Sequence, residues 1–279
     1  MKLFNRIGIV GLGLIGGSLG IAIKQNGLAR EVIGVSRKRS TLNKAIKIKA
    51  IDKGSLDLKA LRSCELIILC TPIKAIIKLF SSIRPYLCNG SIVTDVGSTK
   101  FEIVNAAKRI LPKKTDFIGG HPLAGSEKRG IDNAEKNLFK NSLCLLTPFK
   151  ENKRGDFKKI KLFWQMLGAK VQVLKPAKHD EIVSLTSHLP HLIAFSLMGV
   201  LPSDYLPYGS CGLKDTTRIA SSDPLLWTEI FLTNRKAVLK SVRQFQEQLA
   251  QFSELINRRD EKQLFAKIKK AKLKRDKLP

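Results

Sequence analysis

Short runs of β-branched and aliphatic residues alternate with amphipathic helical stretches through the first two thirds of the chain. The pattern predicts strands over 7–10, 31–35, 66–70, 91–95, 116–118, 142–146 and 170–174. Strands separated by helical segments imply βα units feeding a mostly parallel sheet. Several of these runs end in Gly, Pro or Thr: Gly11-Leu12-Gly13, Cys70-Thr71-Pro72, Gly97-Ser98-Thr99 and Gly119-Gly120-His121-Pro122. In an open parallel sheet the loops at the carboxyl ends of the strands converge on one crevice, where ligands bind.

The pattern changes after Lys175-Pro176. From His179 onward there is no strand signal, only amphipathic stretches broken at Pro202, Pro207 and Ser222-Asp223-Pro224. Leu225, Leu226, Ile230, Phe231, Val238, Leu239, Val242, Phe245, Leu249 and Phe252 recur at helical spacing, which marks them as core or interface. A boundary is therefore expected near residue 176, with a sheet domain over 1–176 and an all-helical domain over 177–279. So small a helical domain has little interior of its own, so it is expected to pack on the first domain, a second copy, or both; a homodimer is predicted.

Composition narrows the class. The chain has 279 residues, 43% of them hydrophobic and 26% charged, which suits a globular protein of one large or two modest domains. No apolar run looks long enough to cross a bilayer, and the N-terminus enters a strand without a cleavage signal, so a cytoplasmic protein is expected. Cys64, Cys70, Cys88, Cys144 and Cys211 form no C-x-x-C pair and read as reduced, buried thiols. The 50 Lys and Arg against 23 Asp and Glu leave a formal charge of +27, which raises nucleic-acid binding as a question. The basic residues run along the whole chain without interleaved aromatics, so a solvated lysine-rich surface is the reading. Only 262–277 is concentrated enough to resemble a basic tail.

Gly11-Leu12-Gly13-Leu14-Ile15-Gly16 fits G-x-G-x-x-G, directly after a predicted strand and at the start of a predicted helix. The first glycine permits the tight turn, the second lets backbone approach a pyrophosphate, and the third brings helix close to strand. The fold class is thus α/β: a Rossmann-type dinucleotide-binding domain followed by an all-helical dimerisation domain. An NAD-selective site carries Asp or Glu at the end of the second strand. Here Ser36 stands there, followed by Arg37-Lys38-Arg39-Ser40-Thr41. Ser36, Arg37 and Thr41 are assigned to a 2′-phosphate and Lys38 and Arg39 to solvent, which favours NADP over NAD.

Further motifs carry a resemblance. They are Cys70-Thr71-Pro72, Thr94-Asp95-Val96-Gly97-Ser98-Thr99-Lys100, Gly119-Gly120-His121-Pro122-Leu123-Ala124-Gly125-Ser126-Glu127, Ser187-His188-Leu189-Pro190-His191 and Lys214-Asp215-Thr216-Thr217-Arg218-Ile219-Ala220. With the glycine motif, they make the chain resemble the TyrA family of prephenate and arogenate dehydrogenases nearly end to end, particularly its monofunctional cyanobacterial and plant-like branch. The resemblance implies oxidative decarboxylation of a cyclohexadienyl acid on the way to tyrosine, at a site between two domains of a homodimer. The chain begins at the first strand and ends after one helical region, so neither a fused chorismate mutase nor a regulatory ACT domain is expected.

That chemistry needs a group to take the hydroxyl proton, and neutral imidazole suits it near pH 7. His121, with Gly119 and Gly120 leaving room for ligand on a presumed loop, is the candidate, and the resemblance gives it that role. By the same resemblance Ser98 bonds the substrate hydroxyl and the nicotinamide region, and Cys70-Thr71-Pro72 lies on the cofactor. Arg218 would hold a substrate carboxylate bidentately; a surface ion pair is its other reading. His191 would lie by the substrate side chain, while His188 is read as structural. Ser126 and Glu127 match pocket positions or face solvent. Trp227 matches a position near the site, with core packing as its alternative. His188 and His191 have no partner set for a metal, and none is expected. A different two-domain NADP reductase and a basic non-catalytic nucleic-acid-binding protein remain the competing classes.

Overall fold

The computed structural model describes residues 2–125, 128 and 130–278. Its sheet has eight strands in the order β3-β2-β1-β4-β5-β6-β7-β8. These are β1 (Phe4–Val10), β2 (Ala29–Val35), β3 (Lys53–Ser55), β4 (Leu66–Leu69), β5 (Ile92–Asp95), β6 (Asp116–Pro122), β7 (Leu143–Pro148) and β8 (Lys170–Val173). Every pairing is parallel except β6 with β7. All seven predicted strands form. The added one, β3, is three residues long and largely exposed, and so carries no apolar run to betray it.

Helices cover both faces of the sheet, and strand alternation distributes the side chains between them. Ile7, Ile9, Leu66, Ile68 and Leu146 pack with Leu19 and Ile23 of α1 (Leu14–Gln25), Leu42 of α2 (Arg39–Lys47), and Phe163 and Trp164 of α5 (Arg154–Met166). Val10, Ile67, Leu69, Val93 and Phe117 turn the other way. They meet Ile76 and Phe80 of α3 (Ile73–Ile83) and Ile103 and Val104 of α4 (Phe101–Ile110).

The remaining helices are α6 (Pro176–Val183), α7 (Leu189–Val200), α8 (Cys211–Thr217), α9 (Pro224–Thr233), α10 (Arg235–Asn257) and α11 (Glu261–Arg275). The chain divides into two compact units, 1–234 and 235–279. Within the first, α9 joins the second core through Trp227 and Ile230. Within the second, Lys267 of α11 hydrogen-bonds Gln248 and Gln251 and lies over the ring of Phe252, all on α10. The basic segment expected as a tail is thus a helix.

Helices α6 and α7 join through a π-helical turn at Ser184–His188, just before Pro190, which has no N–H to continue the ladder. The joined stretch Pro176–Val200 reaches the length and composition of a membrane span, which the apolar runs had not suggested. Its buried face carries His179, Asp180, Ser184 and His188, and α6 packs on α4 and β7. The cysteines are all free. Cys64 and Cys144 are buried as expected, but Cys88 and Cys211 are exposed.

Candidate functional site

Strands β1 and β4 pair side by side while their neighbours β2 and β5 lie on opposite flanks, so the strand order reverses between them. The loops after both strands meet there. Gly11 has φ +94°, and a Cβ on it would stand 2.6 Å from the carbonyl oxygen of Cys70. A Cβ on Gly16 would stand 2.0 Å from the carbonyl oxygen of Gly11, whereas one on Gly13 would meet nothing within 4 Å. Two glycines therefore close the turn and the middle one keeps space open over it. Gly13 is the N-cap of α1, where no side chain caps the helix and no acid occupies its first turn. Leu12 and Leu14 are buried and Ile15 partly so, which anchors the turn from below.

The backbone N–H groups at that helix end suit an anion. Beside them the hydroxyl of Thr71 is buried without a hydrogen-bond partner, between Cys70 and an exposed Pro72. Open space over an uncapped helix end and an orphaned hydroxyl fit a dinucleotide. Ser36 follows β2, and its Oγ accepts from the backbone N–H of Lys38 at 3.4 Å. Arg37 is exposed, Thr41 lies in the first turn of α2, and that turn contains no acid.

On the next strands, Asp95 ends β5 and makes a fully buried ion pair with Lys100. Its carboxylate also accepts from the backbone N–H of Gly97 at 2.8 Å and of Gly120 at 3.2 Å. Burial pushes the Lys100 amine down, against the pull of Asp95. Ser98 sits between, partly buried, two residues before Lys100.

His121 is not on a loop. It lies in β6, opposite Leu145 of β7. Nor do its glycines make room for a ligand: a Cβ on Gly119 would stand 2.4 Å from the Thr147 hydroxyl, and one on Gly120 would stand 2.8 Å from the carbonyl oxygen of Asp95. They let Thr147, Lys100 and the end of β5 close up against β6. The ring Nδ1 lies 2.8 Å from Nε2 of His179, whose own Nδ1 lies 2.7 Å from a carboxylate oxygen of Asp180. Burial, then the charges of His179, Lys100 and His188, holds His121 well below the usual imidazole range, so the ring is neutral near pH 7.

Asn234 links this group to the next. Its side-chain amide donates to the backbone oxygen of Asp180 at 2.8 Å and stands 3.1 Å from Nδ1 of His188. His191, one turn on, bonds the carbonyl oxygen of Ser187 through Nδ1 at 2.9 Å and stacks on Trp227. Burial lowers its pKa, and the charge of Arg218 lowers it further. Arg218 itself is exposed, at the start of a 3₁₀ turn after α8. The structure thus brings His121, His188, His191, Trp227 and Arg218 into one connected neighbourhood. Ser126 and Glu127 lie outside the described residues. Among those described, no cluster of His, Cys, Asp and Glu could hold a metal. Sequence reasoning missed His179, Asp180 and Asn234; the only signal for the first two was a titratable dipeptide within the first helix after the sheet.

A glycine turn at a sheet's reversal point, a neutral histidine on a nearby strand and a following helical region define a dinucleotide-dependent dehydrogenase. Residues 19–173 match the family model for the nucleotide-binding domain of prephenate dehydrogenase, and 175–270 match its dimerization domain. The chain belongs to the prephenate dehydrogenase family. It is 31% identical to prephenate dehydrogenase of Bacillus subtilis over 97% of this chain and 75% of that one. Among solved structures it is similar to A. aeolicus prephenate dehydrogenase in complex with hydroxyphenyl propionate and NAD+, with TM-score 0.93, 32% identity, and 99% and 98% of the two chains covered. It is likewise similar to Synechocystis arogenate dehydrogenase, with TM-score 0.86, 35% identity, and 98% and 99% covered.

Proposed function

We propose that this chain oxidises and decarboxylates arogenate, with prephenate as the second candidate, using NADP in preference to NAD. The observation that carries the reading is the imidazole of His121 near the carboxyl end of β6, two strands from β4 and the reversal point of the sheet, with its Nδ1 2.8 Å from Nε2 of His179. The bound nicotinamide supplies the hydride acceptor. His121 takes the proton of the ring hydroxyl as that carbon becomes carbonyl-like, carbon dioxide leaves, and aromatisation drives the step forward. Ser98 bonds the same hydroxyl and holds the reacting carbon in place. Arg218 clamps a substrate carboxylate, with His191 and Trp227 forming the wall beside it and Ser126 and Glu127 as further pocket residues.

The glycine turn with Cys70, Thr71 and Pro72 holds the pyrophosphate side of the cofactor, and Ser36, Arg37 and Thr41 receive the 2′-phosphate. The domains are assigned as 1–176 for the cofactor and 177–279 for substrate and dimerisation. The helical part leaves Val200, Tyr208, Leu225, Ile256 and Phe265 exposed, which supports a homodimer, since so much apolar surface is costly to leave in water. A cytoplasmic location fits such a biosynthetic role.

The deciding assay follows reduced cofactor with arogenate and prephenate in parallel, each with NADP and with NAD. The highest kcat/KM is expected for arogenate with NADP. Equal values across the four combinations would remove both preferences, and no turnover with either acid would remove the activity.

A further inference from the structure

The contacts of Asp180 reach past the histidine beside it. One carboxylate oxygen accepts the backbone N–H of Lys100 at 2.8 Å, and the other accepts that of Phe101 at 3.0 Å. These are the N-cap and first residue of α4, a helix that no side chain of its own caps. Asp180 supplies that cap from α6 and thereby also pins the segment carrying Ser98. The oxygen that meets Lys100 also lies 2.7 Å from Nδ1 of His179.

A carboxylate can only accept, so Nδ1 of His179 must be the donor. The opposite tautomer would press a nitrogen lone pair against a carboxylate oxygen. In neutral His179 the remaining nitrogen, Nε2, is then an acceptor, and the atom 2.8 Å from it is Nδ1 of His121. Nδ1 of His121 must therefore carry the proton.

We infer that His179 and Asp180 are positioning residues that lock His121 in the Nδ1–H tautomer and leave its Nε2 as the lone pair free to take a proton. Two observations reinforce the chain of donors. His179 is fully buried, and burial holds its pKa below the ordinary value despite the opposing hydrogen bond it donates to Asp180, so its Nε2 stays bare. The other charged or titratable groups acting on the two rings are Lys100, Asp95 and His188, and the amine of Lys100 penalises a second proton on either imidazole. When His121 becomes imidazolium, its Nδ1–H is already bonded to His179, with the Asp180 carboxylate behind it. The arrangement rests on His121 being the proton acceptor for its usefulness, but the tautomer itself does not.

The chain has only four histidines, which makes the test direct. The full chain, labelled with ¹⁵N-histidine, is examined near pH 7.5 by long-range ¹H–¹⁵N correlation, with H121N identifying the His121 signals. The expected pattern is Nδ1–H for His121 in the wild type and loss of that preference in H179L, with H179Q restoring part of it because a Gln carbonyl can accept the same bond. In turnover, H179L should lower kcat by roughly 10²-fold or more with KM and cofactor affinity little changed. A wild-type His121 found in the Nε2–H form overturns the inference even if H179L fails to fold, and so does an H179L variant with unchanged tautomer and kcat. An H121N variant of normal activity would instead remove the proton-acceptor role, and a wild-type Nδ1–H signal would still stand.

Discussion

The imidazole of His191 lies nearly flat on the indole of Trp227, ring centroids 3.6 Å apart and planes 23° from parallel. Trp227 is 93% covered by the rest of the chain, being only 7% exposed, and it also touches the rings of His188, Phe195 and Phe231. One side chain therefore packs as core and, on the proposed function, also walls the substrate site. Trp227→Ala should cost about 3–5 kcal/mol of stability in chemical denaturation, as large aromatic truncations do. A loss below about 1 kcal/mol would mean that the indole is not core.

His121→Asn keeps a similar size and removes the base. Turnover should fall by on the order of 10²–10⁴ while the dissociation constant of the cofactor barely moves. Steady-state kinetics with equilibrium cofactor binding checks both halves, and an unimpaired variant would leave the reaction without its proton acceptor.

The glycines of the turn should separate under substitution. Gly13→Ala adds a methyl to open space, so the melting temperature should hold while cofactor affinity drops at least about ten-fold, ~1.4 kcal/mol. Gly16→Ala collides with the Gly11 carbonyl and should destabilise the fold itself. If Gly13→Ala binds cofactor normally, the dinucleotide does not lie over that turn.

On the proposed preference for NADP, Ser36 sets the charge that the cofactor's ribose meets. Ser36→Asp places a carboxylate where NAD-selective sites carry one and should shift the ratio of kcat/KM for NADP over NAD downward by about ten-fold or more. Arg37→Ala should lower the same ratio by raising KM for NADP. A wild-type enzyme that already prefers NAD would contradict the assignment before any variant is made.

His188 is buried, and burial pushes its pKa from 6.5 down to about 4. The unfolded chain therefore binds a proton that the folded chain refuses between those values, so stability is complete above about pH 6.5 and is lost as pH falls toward 4. The contribution is worth up to about 3 kcal/mol, and His121 and His179, shifted the same way, add to it. Thermal midpoints across pH 7.5 to 4 should fall steeply for the wild type and less so for His188→Gln. A flat profile would show that these imidazoles are not buried neutral.

Much of this molecule was readable from residue order. The βα alternation located seven strands because each is an apolar run long enough to register, and β3 escaped because its residues 53–55 are polar and exposed. The glycine motif pointed to its turn because φ +94° at Gly11 and a 2.0 Å approach at Gly16 tolerate no side chain. His121 stands out in residue order as a candidate, but its expected loop is a strand, since antiparallel pairing with β7 extends β6 through Pro122. No local pattern announces that a strand will be lengthened by a partner more than twenty residues downstream.

By itself the amino-acid order determined the fold class and the glycine turn, because those depend on spacing and backbone permission within short segments, and the resemblance its motifs carry singled out His121 as the candidate proton acceptor. Only the tertiary structure decided which proton that imidazole carries. His121, His179, Asp180 and the start of α4 lie far apart along the chain, and a hydrogen-bond direction exists only once folding has set the donors and acceptors within 3 Å of one another.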